Sequence, residues 1–368
     1  MRLQYSRFPM QLTKLQLINY KYFEDVSIDL DPSVNCLVGN NGVGKTTVLD
    51  SIYHLAFGKS YFNPISRQNI RHGEDFFMID GNFINNGKQD NITVSFKKTE
   101  KKVIKRNNKA YDRLSDHIGK IGLVIISPTD QDLIKEGSEV RRKFMDGVIS
   151  QNDPDYLKCL MDYQKVLSQR NALLKYFAAN NTFQSETLAV YDEQMVYLGE
   201  RIFNKRKTFM SQYAPLLAER YRMISGDNEK VSITYSSQLE NTGFSELLKH
   251  RQQKDLQLQY SSVGIHKDDL QMNLGGYPIK KFGSQGQQKS YLIALKFAQY
   301  DLMLQQGRSK PILLLDDVFD KLDQERVSQL IRMIAADKMG QLFISDTDPE
   351  RTTSVVKDNV EQFKLIEL

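Results

Sequence analysis

Apolar positions divide the chain into three blocks. In the first, short apolar runs alternate with polar turns. Leu12 to Tyr20 and Val26 to Leu30 read as strands, the former with partial alternation at Leu15, Leu17 and Asn19. Asp31-Pro32-Ser33 then turns into Val34-Asn35-Cys36-Leu37-Val38, short, apolar and β-prone, the pattern of a buried strand. Behind it, Thr47 to Leu55 places Val48, Ile52 and Leu55 on one helical face, and a polar loop runs from Gly58 to Asn69. Phe76 to Ile84 and Ile92 to Phe96 flank Asn85-Asn86-Gly87-Lys88, whose residues suit a hairpin turn. Ile121 to Ile126 is a further buried strand, stopped by Ser127-Pro128.

The middle block changes period and stays helical for about a hundred residues. Leu160, Leu167 and Leu174 are spaced as heptads, supported by Tyr163, Leu173 and Phe177. After Asn180-Asn181-Thr182, the positions Leu188, Tyr191, Met195, Leu198, Ile202, Phe209 and Leu216 follow steps of three and four or their multiples. This pattern predicts two helices joined by a polar turn, an antiparallel arm over residues 146–224 with each helix roughly 30–50 Å long. Its Met and aromatic positions read as arm core.

From Val231 the pattern returns to strands and turns. Leu270 to Leu274, Gly275-Gly276 and Tyr277 to Ile279 suggest a second hairpin. Phe282-Gly283-Ser284-Gln285-Gly286 leads into a helix carrying Leu292, Leu295, Ala298 and Met303. Ile312 to Leu315 is a strand ending in Asp316-Asp317; a helix from about Gln324 to Ala336, a strand at Gln341 to Ile344 and a last one at Phe363 to Ile366 complete the chain. The expected fold is α/β: a mixed-sheet head built from 10–145 and 225–368, an inserted helical arm, and a short extension at 1–9.

Composition narrows the function by exclusion. At 368 residues, 40% apolar and 26% charged, the chain is ordinary for a folded protein of two or three domains. No apolar run reaches the ~20 residues of a membrane helix, and the N-terminus lacks the apolar core of a signal peptide. Cys36 and Cys159 have no pairing spacing, so a reducing cytoplasm is expected; five scattered histidines make no metal cluster. A net charge of +5 hints mildly at a polyanionic partner.

The chemistry begins between the third strand and the first helix. Gly39-Asn40-Asn41-Gly42-Val43-Gly44-Lys45-Thr46, followed by Thr47, fits the P-loop pattern G-x-x-x-x-G-K-[ST]. Its glycines allow backbone N–H groups to form an anion nest, the helix start adds partial positive charge, Lys45 can reach the β- and γ-phosphates, and Thr46 can ligate magnesium. Asp316 and Asp317 after an apolar strand form a Walker B pair, with Asp316 assigned to Mg2+ and Asp317 to polarising the attacking water. Alone, such a pair is as easily a loop or helix cap; beside a P-loop it reads as catalysis. Ser284-Gln285-Gly286-Gln287-Gln288-Lys289 sits at a helix start as an anion site with no anion of its own in this chain.

That loop resembles the signature loop of ABC-type ATPases in its SMC-like variant, and the resemblance sharpens to the RecF family. Leu17-Ile18-Asn19-Tyr20-Lys21-Tyr22-Phe23 is similar to the family's opening strand. Ser127-Pro128-Thr129-Asp130, through Gly137 to Arg141-Arg142-Lys143-Phe144-Met145-Asp146, resembles its lead into the arm; Gly264-Ile265-His266-Lys267-Asp268-Asp269-Leu270 is close to its Gly-x-His-Arg-Asp-Asp-Leu. The likeness covers Met10 to the C-terminus, making Met10 a candidate initiator. It implies an ABC-type head, ATP and Mg2+ as ligands, and Ser284, Gln285, Gly286 and Gln287 facing the γ-phosphate of a second subunit. Asp320-Lys321-Leu322-Asp323 would be the D-loop, with Asp323 in the site. It further implies an ATP-dependent homodimer on gapped or junction DNA, a slow DNA-stimulated ATPase serving as a switch, and recombinase loading with RecR and RecO, without a membrane.

Two features depart from ABC transporters. Ser345-Asp346-Thr347 replaces the switch His, and Gln131 is only near a Q-loop position. Both favour slow hydrolysis. A transporter subunit would have a short insertion and a switch His; an SMC chromosome-organising head would carry a far longer coiled coil. For DNA the residues themselves offer basic runs: Lys97 to Lys109 with Lys101, Lys102, Lys105 and Arg106, then Arg141-Arg142-Lys143, Lys205-Arg206-Lys207 and Lys280-Lys281. The first run is as readily a solvated strand face as a phosphate contact. None has interleaved aromatics, so any contact would be to the backbone and salt-sensitive.

Overall fold

The computed structural model describes residues 10–226, 229–306, 309–318, 329, 333–334, 339–357 and 362–368. The strands of the first part are β1 (Gln11–Tyr20), β2 (Phe23–Asp29), β3 (Val34–Val38), β4 (Phe76–Asn85), β5 (Lys88–Lys97), β6 (Val103–Arg106), β7 (Lys109–Ala110) and β8 (Leu123–Ile126). Those after the long helices are β9 (Val231–Ser236), β10 (Asp269–Leu274), β11 (Tyr277–Pro278), β12 (Ile312–Asp316), β13 (Leu342–Asp346) and β14 (Lys364–Glu367). They form three sheets, ordered β2-β1-β4-β5-β6-β7, β14-β3-β13-β12-β8 and β11-β10-β9.

The five-stranded sheet is built from parallel pairings. Every residue of β3, β8, β12 and β13 is buried, as expected when both faces of a parallel sheet are covered. Continuous runs such as Ile312-Leu313-Leu314-Leu315 follow from that burial. The six-stranded sheet is antiparallel. Its β4–β5 hairpin closes through Asn86 and Gly87, with φ of 50° and 75°, two positive φ values in succession that only Asn, Asp and Gly adopt readily. Val48, Ile52 and Leu55 of helix Lys45–Phe57 join Leu15, Leu17, Phe77, Ile79 and Leu314 in one core, each essentially inaccessible.

The described residues fall into two compact units. One comprises Met1–Gln131, Glu219–Glu229 and Ser284–Leu368, the other Asp132–Ala218 and Lys230–Gly283. This division differs from the expected 146–224 arm: it begins earlier and takes in β9, β10 and β11 with the helices. The two expected arm helices are present as Pro154–Asn180 and Ser185–Ser225, about 40 and 60 Å long at 1.5 Å per residue. Asp153 caps the first, its carboxylate accepting from the Tyr156 N–H at 2.9 Å ahead of Pro154, and Asn181 ends it at φ 47°.

Buried charge ties the helices of the second unit. Fully buried Arg170 donates to Asp192 (2.6 Å) and Asp255 (2.7 Å), one on each of two further helices. Arg206 donates to Asp146 (2.9 Å), Asp268 (2.7 Å) and the Ile265 carbonyl (2.8 Å). Asp255 belongs to helix Phe244–Leu258, in a region whose sequence pattern suggests only strands and turns. Only Phe244, Leu248 and Asp255 of that helix are buried, so its apolar periodicity is too thin to reveal it. The helix expected from Gln324 to Ala336 lies largely outside the described residues.

Candidate nucleotide site

The segment after β3 leaves the sheet at Gly39 (φ 146°) and passes Gly42 (φ 87°) and Gly44 (φ 112°) before helix Lys45–Phe57 begins. Two of these positions exclude any side chain. A Cβ on Gly39 would stand 2.7 Å from the Leu368 carbonyl oxygen, and one on Gly44 2.5 Å from the Phe23 ring. Asn40, Asn41 and Gly42 are exposed, whereas Val43, Gly44, Thr46 and Thr47 are partly covered. Gly44 caps the helix without a side-chain hydrogen bond, so the first N–H groups are left for a ligand to satisfy.

Lys45 is buried, and its Nζ donates to the carbonyls of Gly39 (2.7 Å) and Asn40 (2.8 Å). The ammonium is thus held against the carbonyls at the start of the loop. The helix behind is anchored through Asp50, which accepts from the Tyr20 hydroxyl (2.7 Å), the Ser60 hydroxyl (2.7 Å) and the Tyr61 N–H (2.7 Å), and pairs with Lys21 at 2.6 Å. In the sequence Asp50 shows only as an acidic residue on the helix's apolar side, which does not by itself mark it as an anchor.

Asp316 ends β12, two sheet positions from β3, and the structure brings it to the P-loop. Thr46 Oγ1 donates to Asp316 Oδ1 at 3.0 Å. Ser345 Oγ donates to the same oxygen at 2.7 Å and accepts the Asp317 N–H at 3.1 Å. Burial pushes the Asp316 carboxyl above the usual range, and the hydroxyls of Ser345 and Thr46 pull it back. Asp317 is half-buried with φ 47°, a left-handed conformation that Asp tolerates better than most residues.

Ser284 is the N-cap of helix Gln285–Gln305 and is exposed, as is Gln285; Gly286 and Gln287 are partly covered. Its hydroxyl accepts the Gln287 N–H at 3.2 Å, while Gln287 Oε1 accepts the Ser284 N–H at 2.8 Å, a complete capping box. The ordinary cap explanation therefore holds for Ser284, yet a hydroxyl that accepts still has its own proton to donate. Gln287 Nε2 also donates to Glu229 at 2.7 Å. Asp323 lies outside the described residues.

The basic runs fare unevenly. Arg106 forks onto buried Asp90, and Lys102 donates to the Gly58 carbonyl at 2.6 Å, whereas Lys101 and Lys105 are exposed. Arg141 pairs with Asp269, Arg142 donates to the Asp268 carbonyl at 2.6 Å, and Arg206 is interior. All three are engaged within the chain, by Asp268, Asp269 and the Ile265 carbonyl of the Gly264–Leu270 motif and, for Arg206, by Asp146 as well. Lys281 is exposed; Lys280 donates to the Lys135 carbonyl at 2.5 Å.

Among the described residues no helix is long and apolar enough to cross a membrane, and no group of His, Cys, Asp and Glu is arranged to hold a metal by itself. The chain matches the family model described as the RecF/RecN/SMC N terminal domain over residues 11–364. It is 55% identical to a Flavobacterium johnsoniae protein named DNA replication and repair protein RecF, over 98% of this chain and 100% of the relative. A Porphyromonas gingivalis protein of the same name is 40% identical over 98% of each chain. The structure of the recombination mediator protein RecF-ATP in the RecFOR pathway is similar with a TM-score of 0.86 and 27% identity, covering 95% of this chain and 94% of that one. A Pyrococcus furiosus Smc head domain shares the fold at a TM-score of 0.56 and 16% identity, over 96% and 92% of the two chains. Family model, relatives and solved structure agree: this chain belongs to the RecF family, with the fold of an ABC-type ATPase head and a long helical arm.

Proposed function

We propose that this chain is an ATP-operated DNA clamp of recombinational repair, with the first compact unit as its ATPase head and the second as its arm-bearing lobe. The observation that carries the reading is the convergence of buried Lys45 and Asp316 with partly covered Thr46 at a glycine loop shaped for an anion. Gly39 to Thr47 would cradle the phosphates. A hydroxyl beside a single carboxylate suits magnesium, which keeps several waters and phosphate oxygens in its shell. Thr46 and Asp316 would hold it, and its chemistry there is charge neutralisation on the phosphates. Asp317 orients and deprotonates the attacking water. Absence of a switch His keeps this slow, and DNA binding accelerates it.

Ser284, Gln285, Gly286 and Gln287, with Asp323, form the second half of a site whose first half lies on another copy. Only the closed homodimer offers both halves to ATP, so ATP stabilises the dimer by mass action. The dimer would sit on gapped or junction DNA and load recombinase with RecR and RecO, in keeping with the RecFOR pathway of the solved relative. DNA contact is backbone-directed and rests on Lys101 and Lys105, since Lys102 and Arg106 serve the fold.

Binding to a gapped duplex, measured with and without ATP across a salt series, tests this. Affinity should rise with ATP. Joint Lys101→Gln and Lys105→Gln substitution should reduce the log–log salt slope by about 2, one contact's worth per lysine. An ATP-independent affinity would contradict the clamp, and an unchanged slope would remove the two lysines from the contact.

A further inference from the structure

Ser345 has a place in the site that its position in the sequence conceals. It ends the apolar run of β13 and is 1% exposed. In the parallel β12–β13 register it stands opposite Asp316, so the sheet itself sets it against the Walker B strand. One hydroxyl makes both contacts: its proton goes to Asp316 Oδ1 at 2.7 Å, and its lone pair takes the Asp317 N–H at 3.1 Å. Thr46 Oγ1 donates to that same Oδ1.

We infer that Ser345 is a positioning residue: it fixes the rotamer of Asp316 toward the metal and pins the left-handed backbone that presents Asp317. The inference rests on the nucleotide reading above. Its physical basis is that a group ligating a metal through one oxygen needs a second fixed contact to hold its plane, and such outer contacts govern affinity and rate nearly as strongly as the ligands. Asp317 at φ 47° is a sparsely populated conformation that its surroundings must hold, and the Ser345 hydroxyl contributes to that by accepting its N–H. One hydroxyl contributes to both restraints, so metal affinity and turnover should fall together when it is lost, while the magnesium-free affinity for ATP, set by the P-loop, should not.

Ser345→Ala keeps the strand and removes only the hydroxyl. Binding of ATP followed by fluorescence or calorimetry, with and without Mg2+, should show a magnesium-free affinity within about twofold of the parent and a magnesium half-saturation raised about tenfold, with kcat falling by a similar factor at unchanged KM. Ser345→Thr, which restores the hydroxyl, should recover most of both. Magnesium dependence and kcat within twofold of the parent in Ser345→Ala would overturn the inference, as would a loss of magnesium-free ATP affinity equal to the other losses, the mark of general damage. A parent that binds ATP no better than Lys45→Met would instead remove the nucleotide reading and this inference with it.

Discussion

Lys45→Met is expected to lose ATP affinity by roughly 100-fold, about 3 kcal/mol, while the chain stays folded. Met matches the length of the lysine stem and can occupy the same buried channel. What it lacks is the ammonium, which now donates to the Gly39 and Asn40 carbonyls at 2.7 and 2.8 Å. Those carbonyls belong to a partly exposed loop, so water can satisfy them and the cost to stability is small. An anion in the cradle has no such substitute, since charge-assisted hydrogen bonds are about twice as strong as neutral ones. Titration calorimetry of parent and variant, with the thermal midpoint as a folding control, measures both effects. Equal affinities would mean that the loop binds something other than a triphosphate.

Asp317→Asn is expected to have the second large effect, confined to turnover. The kcat for ATP should fall by roughly 10²–10⁴, the range for removing a general base, at little changed ATP affinity. The substitution is suited to the site because Asn, like Asp, tolerates the left-handed backbone found there, at φ 47°. The Asp317 N–H that Ser345 accepts is a backbone group, so it survives the change. With hydrolysis blocked, the ATP-bound dimer should persist and accumulate, whereas Lys45→Met should form none. Single-turnover hydrolysis at saturating ATP reads the chemical step directly. A variant retaining parental turnover would place the base elsewhere.

The legible parts of this chain are those whose causes are local. The P-loop can be read because a nest, a lysine and a hydroxyl at fixed spacing are one continuous stretch, and the hairpin at Asn86-Gly87 because its turn demands positive φ twice. The long helices show themselves through heptads. The illegible parts are made by partners distant in sequence. Ser345 and Asp316 meet only because β12 and β13 are parallel neighbours in a given register, and nothing near Ser345 announces it. The Lys97 to Lys109 run looks uniformly basic, yet Asp90 across the sheet neutralises Arg106 and the Gly58 carbonyl engages Lys102. Arg141, Arg142 and Arg206 also stand in basic runs, yet Asp269 pairs with the first, the Asp268 carbonyl accepts from the second, and Asp146 and Asp268 hold the third. A charge run states how many cations are present; the fold decides which of them face solvent.

In the proposed mechanism the P-loop and the Ser284 loop are two halves of a site completed by a second copy. Light-scattering mass of the parent and of Ser284→Arg, each with and without ATP, bears on it most directly. If the site is shared as proposed, arginine at this exposed N-cap would intrude on the space of the second copy's phosphates while leaving the chain's own Lys45 and Thr46 contacts in place, at a cost of about 1 kcal/mol for the lost cap. The predicted result is a parent whose mass doubles with ATP, and a variant that binds ATP as tightly yet stays monomeric. A variant that doubles in mass with ATP like the parent would contradict the shared site.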